Sequence, residues 1–204
     1  MKLGIYGGTF SPIHMGHVKA AKAFLDAMAL DRLLIMPTAV PPHKAEVAGA
    51  DSAARLDMAR LAFKDADARL SVSDFEIRRE GKSYTIYTLE NFAAPDTTLY
   101  LLVGTDMFLT LEKWFRAADI FRLAEIVLMR RETDAVMTGQ LAATAERYRT
   151  QFGARIHEID EPPVVVSSTE LRERLTSGAS TEGLLPEAVA AYIRENRLYG
   201  SEEA

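Results

Sequence analysis

The sequence predicts an α/β fold: an open, mainly parallel β-sheet with helices on both of its faces. Short apolar runs rich in Leu, Ile and Val, each too short for a helix, alternate with amphipathic stretches along the 204 residues. The first run closes on a glycine pair, as a strand entering a tight turn should. No internal repeat and no Gly/Ser-rich linker interrupts the pattern, so one domain over residues 1–204 is expected.

Taken in order, buried strands are read at residues 3–6, 33–36, 99–103 and 125–129. Residues 70–77 and 155–159 alternate apolar and polar side chains, which predicts two less deeply buried strands. A helix is expected over about residues 16–28, with Val18, Ala21, Phe24, Leu25 and Met28 on one face. A second follows a cap at Asp51 or Ser52, with Leu56, Ala59, Leu61 and Phe63 as its apolar members. A third starts near Tyr84, and a fourth covers about residues 138–152. Residues 164–166 are strand-like and lead into another helix start. Pro37, Pro41 and Pro42 forbid a regular helix in the connection over residues 37–49. Strand and helix repeated in this way make a Rossmann-like sheet, which binds ligands beyond the carboxyl ends of its strands. The strand-to-helix turns are therefore the places to search.

Composition narrows the function. With 48% apolar and 26% charged residues the chain can build a core. A net charge of -5 disfavours broad binding to nucleic acid or anionic membrane, though a local basic pocket is compatible with it. The absence of cysteine excludes disulfides, thiolate nucleophiles and cysteine zinc sites. No apolar run approaches a membrane span, and residues 1–6 are too short for a signal peptide. A cytoplasmic protein with neither nucleic-acid nor membrane partners is expected; its oligomeric state stays open.

The first strand runs into Gly7-Gly8-Thr9-Phe10-Ser11-Pro12-Ile13-His14-Met15-Gly16-His17. Two glycines let the backbone turn sharply and approach a ligand closely. His14 and His17 then lie three residues apart at the start of a helix, sharing a face if helical geometry begins by His14. A helix N-terminus presents free amides and partial positive charge, and imidazoles there add donors beside a bound phosphate. That combination suits phosphoryl or nucleotidyl transfer. A zinc site lacks a third ligand at any suggestive spacing, and neither a P-loop nor the dinucleotide G-x-G-x-x-G pattern is present. Near the other end, Ser167-Ser168-Thr169-Glu170-Leu171-Arg172 places hydroxyls at a second helix start, with a guanidinium three residues after Thr169. This too is a phosphate clamp.

Together the two motifs resemble the nucleotidyltransferase superfamily marked by (H/T)-x-G-H and S-x-T-x-x-R. Further landmarks narrow the resemblance to bacterial nicotinate-nucleotide adenylyltransferases. They are Met36-Pro37 with Pro41-Pro42-His43-Lys44, Ser83-Tyr84-Thr85 with Thr88-Leu89, and Gly104-Thr105-Asp106 with Lys113-Trp114-Phe115. Leu185-Pro186, Val189, Tyr192-Ile193 and Leu198-Tyr199 close the chain. The sequence departs from that pattern at Ser11, Tyr87 and Glu132.

The resemblance implies that ATP and nicotinate mononucleotide give deamido-NAD and pyrophosphate, by direct attack of the mononucleotide phosphate on the α-phosphorus. His14 and His17 would contact the ATP phosphates, and Ser167, Thr169 and Arg172 the β- and γ-phosphates. Lys44 would reach the reacting phosphates, and amides around Gly8, Thr9 and Phe10 would line their path. Asp106 would order the adenosine, Gly104 would admit its sugar or base, and Arg130 would lie beside the adenine. Trp114 would stack on the pyridine ring, while Tyr84 and Thr85 would meet its carboxylate. Magnesium would arrive on ATP, without a dedicated protein cage. Competing implications are a phosphopantetheine adenylyltransferase and a catalytically silent nucleotide-binding module.

Overall fold

The computed structural model describes residues 1–40, 49–79, 81–130, 135–160 and 166–200. Its strands are β1 (Lys2–Gly8), β2 (Arg32–Pro37), β3 (Leu70–Val72), β4 (Thr98–Gly104), β5 (Ala124–Arg130) and β6 (Ile156–Asp160). They form one six-stranded sheet in the order β3-β2-β1-β4-β5-β6, the order of a doubly wound α/β fold. Parallel pairing joins β1 to β4, β4 to β5 and β5 to β6, as the alternation of strand and helix predicts. The helices are α1 (Met15–Ala27), α2 (Ser52–Phe63), α3 (Phe75–Arg78), α4 (Thr85–Phe92), α5 (Thr105–Thr110), α6 (Ala117–Leu123), α7 (Ala135–Phe152), α8 (Ser168–Thr176) and α9 (Glu187–Glu195). No helix among the described residues is long and apolar enough to cross a membrane.

The chain divides into two compact units. One comprises the described residues within Met1–Tyr6, Lys22–Leu34 and Tyr84–Pro163. Its centre is β4, where Leu99, Tyr100, Leu101, Leu102 and Val103 are all buried. A continuous apolar run of that kind marks a parallel strand covered on both faces. Gly4 of β1 lies so close to Leu30, Leu33 and Phe24 that a Cβ there would collide with them. Tyr148 of α7 is fully buried, and its hydroxyl donates to the Phe108 carbonyl at 2.7 Å.

The other unit comprises the described residues within Gly7–Ala21, Ile35–Ser83 and Val164–Ala204. Asp51 caps α2, its Oδ1 accepting from Ala54 N–H at 2.8 Å, which decides between Asp51 and Ser52. Leu56, Ala59 and Phe63 are buried as expected, and so is Arg55.

Residues 70–77 do not form one strand. Only Leu70–Val72 is extended, and Phe75–Arg78 is helical. Ser73 N–H donates to the Ile35 carbonyl, and its Oγ then accepts from Phe75 N–H at 3.3 Å, which turns the chain. As the sheet's edge, β3 has a ladder partner on one side only and ends early. The apolar–polar alternation through Phe75 and Ile77 belongs to a single helical turn. The strand-like residues 164 and 165 lie outside the described residues; Val166 is buried but not in a strand.

Candidate active site

The turn after β1 is built from inside outward. Phe10 folds its ring back over Gly8, where a Cβ would lie 2.7–2.8 Å from the ring. The second glycine thus makes room for the protein's own aromatic side chain. Phe10 has a positive φ of 50°, and its ring meets the His17 imidazole edge-on at 5.0 Å. Further on, the His14 carbonyl accepts from His17 N–H at 2.9 Å and Val18 N–H at 3.2 Å, so His14 opens α1. The two imidazoles lie one over the other, centroids 3.7 Å apart. His14 is only 2% exposed, whereas His17 is half-buried. His14 N–H donates to Nδ1 of His17 at 3.2 Å. A nitrogen that accepts carries no proton, so neutral His17 holds its proton on Nε2, where it serves as a donor.

The late motif grips this same turn. Arg172 Nη1 donates to the Ser11 carbonyl at 2.7 Å, and Nη2 to Thr169 Oγ1 at 3.1 Å. Ser168 Oγ donates to the Pro12 carbonyl at 3.0 Å. Ser167 caps α8, its Oγ accepting from Glu170 N–H at 3.1 Å. A cap uses the oxygen and leaves the hydroxyl proton to donate elsewhere. Side chains of α8 therefore reach residues 11–12, in the turn that leads into the positive N-terminal end of α1. His14, His17, Thr9, Ser167, Thr169 and Arg172 belong to one compact unit. Lys44 lies outside the described residues.

The other unit gathers the remaining candidates in two places. At the carboxyl ends of β4 and β5, Gly104 is in register with Met129, one residue before Arg130. Gly104 caps α5 with an ordinary φ of -82°, and a Cβ there would enter open space. Asp106 is exposed in the first turn of α5. Arg130 donates to Asp160 at 2.8 Å and lies 3.7 Å from Glu158, so its charge is matched by β6. The second place is the start of α4. The Tyr84 ring lies tilted against Phe115 at 4.7 Å, and Tyr87 lies against both rings. Trp114 is half-buried beside Phe115, which is 45% exposed. Arg116, at a left-handed φ of 56°, pairs with Glu90 and Asp119 and anchors this aromatic turn to α4. Thr85 is the first residue of α4, among amides without intrahelical acceptors.

Residues 5–174 match the cytidylyltransferase-like family. A protein of Synechococcus sp. (strain JA-3-3Ab), named probable nicotinate-nucleotide adenylyltransferase, is 40% identical over 200 residues, covering 97% of this chain and 94% of that one. The chain belongs to the nicotinate-nucleotide adenylyltransferase family. A relative of that same name from Solibacter usitatus is 39% identical over 202 residues, covering 98% of this chain and all of its own. The nicotinic acid mononucleotide adenylyltransferase of Plasmodium falciparum, solved with NaAD, superposes with a TM-score of 0.77 over 98% of both chains. At 16% identity that likeness concerns the fold.

Arg55, Phe115 and Tyr199 take part in this arrangement without belonging to either phosphate motif. Arg55 had a signal: it lies four and eight residues before Ala59 and Phe63, on the buried stripe of α2. Phe115 and Tyr199 were visible only as family landmarks. His157 bonds Glu125 at 2.6 Å, and Arg155 pairs with the same carboxylate.

Proposed function

We propose that the chain transfers the adenylyl group of magnesium-bound ATP to the phosphate of nicotinate mononucleotide, giving deamido-NAD and pyrophosphate, a step of NAD biosynthesis. A phosphate oxygen of the mononucleotide forms a bond to the α-phosphorus. The bond from that phosphorus to the α,β-bridging oxygen breaks, and pyrophosphate leaves with the electron pair. The observation that carries this reading is the grip of Arg172 and Ser168 on the Ser11 and Pro12 carbonyls. It ties α8 to the turn that leads into α1 and its histidine pair, an arrangement suited to a triphosphate.

Catalysis in such a site is positioning and charge neutralisation. His17 donates from Nε2 to the phosphates, with His14 stacked behind it. Ser167, Thr169 and Arg172 hold the β- and γ-phosphates, and Lys44 reaches the reacting groups. The amides of Gly8, Thr9 and Phe10 line the path. Gly104 leaves space for the nucleoside and Asp106 accepts from it, while the flat face of Arg130 lies beside the adenine. Trp114 stacks on the pyridine ring, joined by Phe115, and the α4 start at Tyr84 and Thr85 receives the carboxylate. Magnesium would enter with ATP and offset the negative charge of its phosphates.

Incubation with ATP, magnesium and nicotinate mononucleotide should yield deamido-NAD, identified by mass. Phosphopantetheine in place of the mononucleotide should release no pyrophosphate. His17→Ala should lower turnover by roughly 100-fold or more, as loss of one transition-state donor does elsewhere, with the fold retained by circular dichroism. An unimpaired variant would remove His17 from the mechanism.

A further inference from the structure

Arg55 is an unusual occupant of a core. Its side chain is 1% exposed, Nη1 donates to the Thr9 carbonyl at 2.7 Å, and Nη2 to the Ala39 carbonyl at 3.1 Å. Nε is buried without a hydrogen-bond partner. Desolvation pulls the guanidinium pKa below its usual value, and the nearby Tyr199 and Asp51 only partly oppose this. Burying a cation with an unsatisfied N–H is costly, so its two hydrogen bonds offset a desolvation penalty rather than add much net stability. Stability therefore does not explain this arginine. Its position does, because Thr9 is in the turn that receives the triphosphate and Ala39 follows the end of β2.

The same turn is held from its other side. Tyr199 Oη lies 3.1 Å from Ser11 Oγ within the protein. Tyr199 is itself fixed: its N–H donates to the Gly49 carbonyl at 3.4 Å, and its own carbonyl accepts from Thr176 Oγ1 at 3.0 Å. With Arg172 on the Ser11 carbonyl, side chains from α2, α8 and the turn Leu198–Gly200 all end on residues 9–12. Because a peptide unit is planar, fixing the Thr9 carbonyl fixes the direction of the whole Thr9–Phe10 peptide.

We propose that Arg55 is a positioning residue for adenylyl transfer: by tying the Thr9 carbonyl to the Ala39 carbonyl it sets the peptide geometry that the turn presents to the triphosphate, and Tyr199 backs it at Ser11. The inference rests on adenylyl transfer as the reaction, so its test includes a readout independent of turnover.

Arg55→Met, Arg55→Lys and Tyr199→Phe are compared with the wild type in steady-state kinetics, thermal melting and amide hydrogen exchange. In Arg55→Met, kcat should fall by roughly 10- to 100-fold, the scale of a small misplacement in a reacting geometry. KM for nicotinate mononucleotide should stay within about threefold, since uniform binding is untouched. The melting temperature should fall by only a few degrees, the cost of two carbonyls left without that donor, and exchange should accelerate over residues 8–13 while β4 and β5 stay protected. Arg55→Lys, a point charge that cannot bridge two carbonyls, should lose nearly as much. Tyr199→Phe should show a milder loss of the same kind. Wild-type kcat in Arg55→Met, or a loss that tracks a melting temperature lowered well beyond that and faster exchange everywhere, overturns the proposal. If the wild type forms no deamido-NAD, the proposed function fails on its own, and unchanged exchange at residues 8–13 in the variants still sinks the positioning role. Should Arg55→Met not fold, Arg55→Lys and Tyr199→Phe give the same readings.

Discussion

Two glycines with the same apparent signature do different work. Gly8 and Gly104 both follow buried strands and precede helices, and the sequence reads both as places where a ligand approaches the backbone. At Gly8 the approaching group is the Phe10 ring, whereas at Gly104 the space is open. Gly8→Ala should therefore destabilise the fold by about 1–3 kcal/mol, the usual cost of overpacking, and should disturb the Phe10–His17 contact, so melting temperature and kcat fall together. Gly104→Ala should leave the melting temperature unchanged, because its φ of -82° suits alanine. It should instead raise KM for ATP several-fold. An unchanged KM would mean that no part of the nucleotide comes near Gly104. Arg130 shows what sequence cannot provide at this scale: its partner Asp160 is 30 residues away and becomes a neighbour only through the β5–β6 register.

At the level of elements, α8 combines a structural cap with a proposed ligand contact, and the two are separable. Ser167→Ala removes the acceptor for Glu170 N–H and should cost about 1 kcal/mol, read as a lower melting temperature. Ser167→Asp keeps a good cap and adds negative charge at a positive helix end, so it should melt no lower than the wild type. The same carboxylate would repel a triphosphate, and turnover should drop steeply. A fully active Ser167→Asp would place the phosphates elsewhere. Helices α1, α2, α4 and α7 were legible because an apolar stripe or a cap marks each one. The short α5 and α6 leave no periodic signal in the sequence, since Thr105–Thr110 and Ala117–Leu123 span less than two full turns of pattern. The edge strand β3 is shorter than its alternation suggests for the same reason: a few alternating residues fit a strand and a helical turn alike.

For the molecule as a whole, the buried phenol of Tyr199 offers a test by pH. Its pKa is pushed up to about 12, against an ordinary 10.0, chiefly by burial, with Ser11, Arg55 and Arg172 opposing. A raised folded-state pKa contributes stability that is fully present below the unfolded value and lost as pH rises through the folded one. The loss falls between about pH 10 and 12 and amounts to roughly 2–3 kcal/mol for this group. Tyr199→Phe should show a shallower decline of unfolding free energy across that window than the wild type, by denaturant titration at each pH. Equal slopes would mean that Tyr199 is more accessible to solvent than its burial indicates.

The sequence by itself determined the α/β class, the parallel core strands and the two motifs at helix starts, because periodicity, glycines and caps act within a few residues of one another. It also pointed toward phosphoryl or nucleotidyl transfer, since imidazoles, hydroxyls and a guanidinium at positive helix ends suit phosphate, and the family landmarks narrowed this to an adenylyltransferase. Only the tertiary structure decided that Arg172 and Ser168 reach residues 11–12, that Phe10 fills the space over Gly8, and that Arg55 and Tyr199 hold the turn from within. Those contacts span from 2 to 188 positions along the chain. What separates the two sets is physical: local pattern fixes which element forms, while the partner of a buried polar group is settled by packing alone.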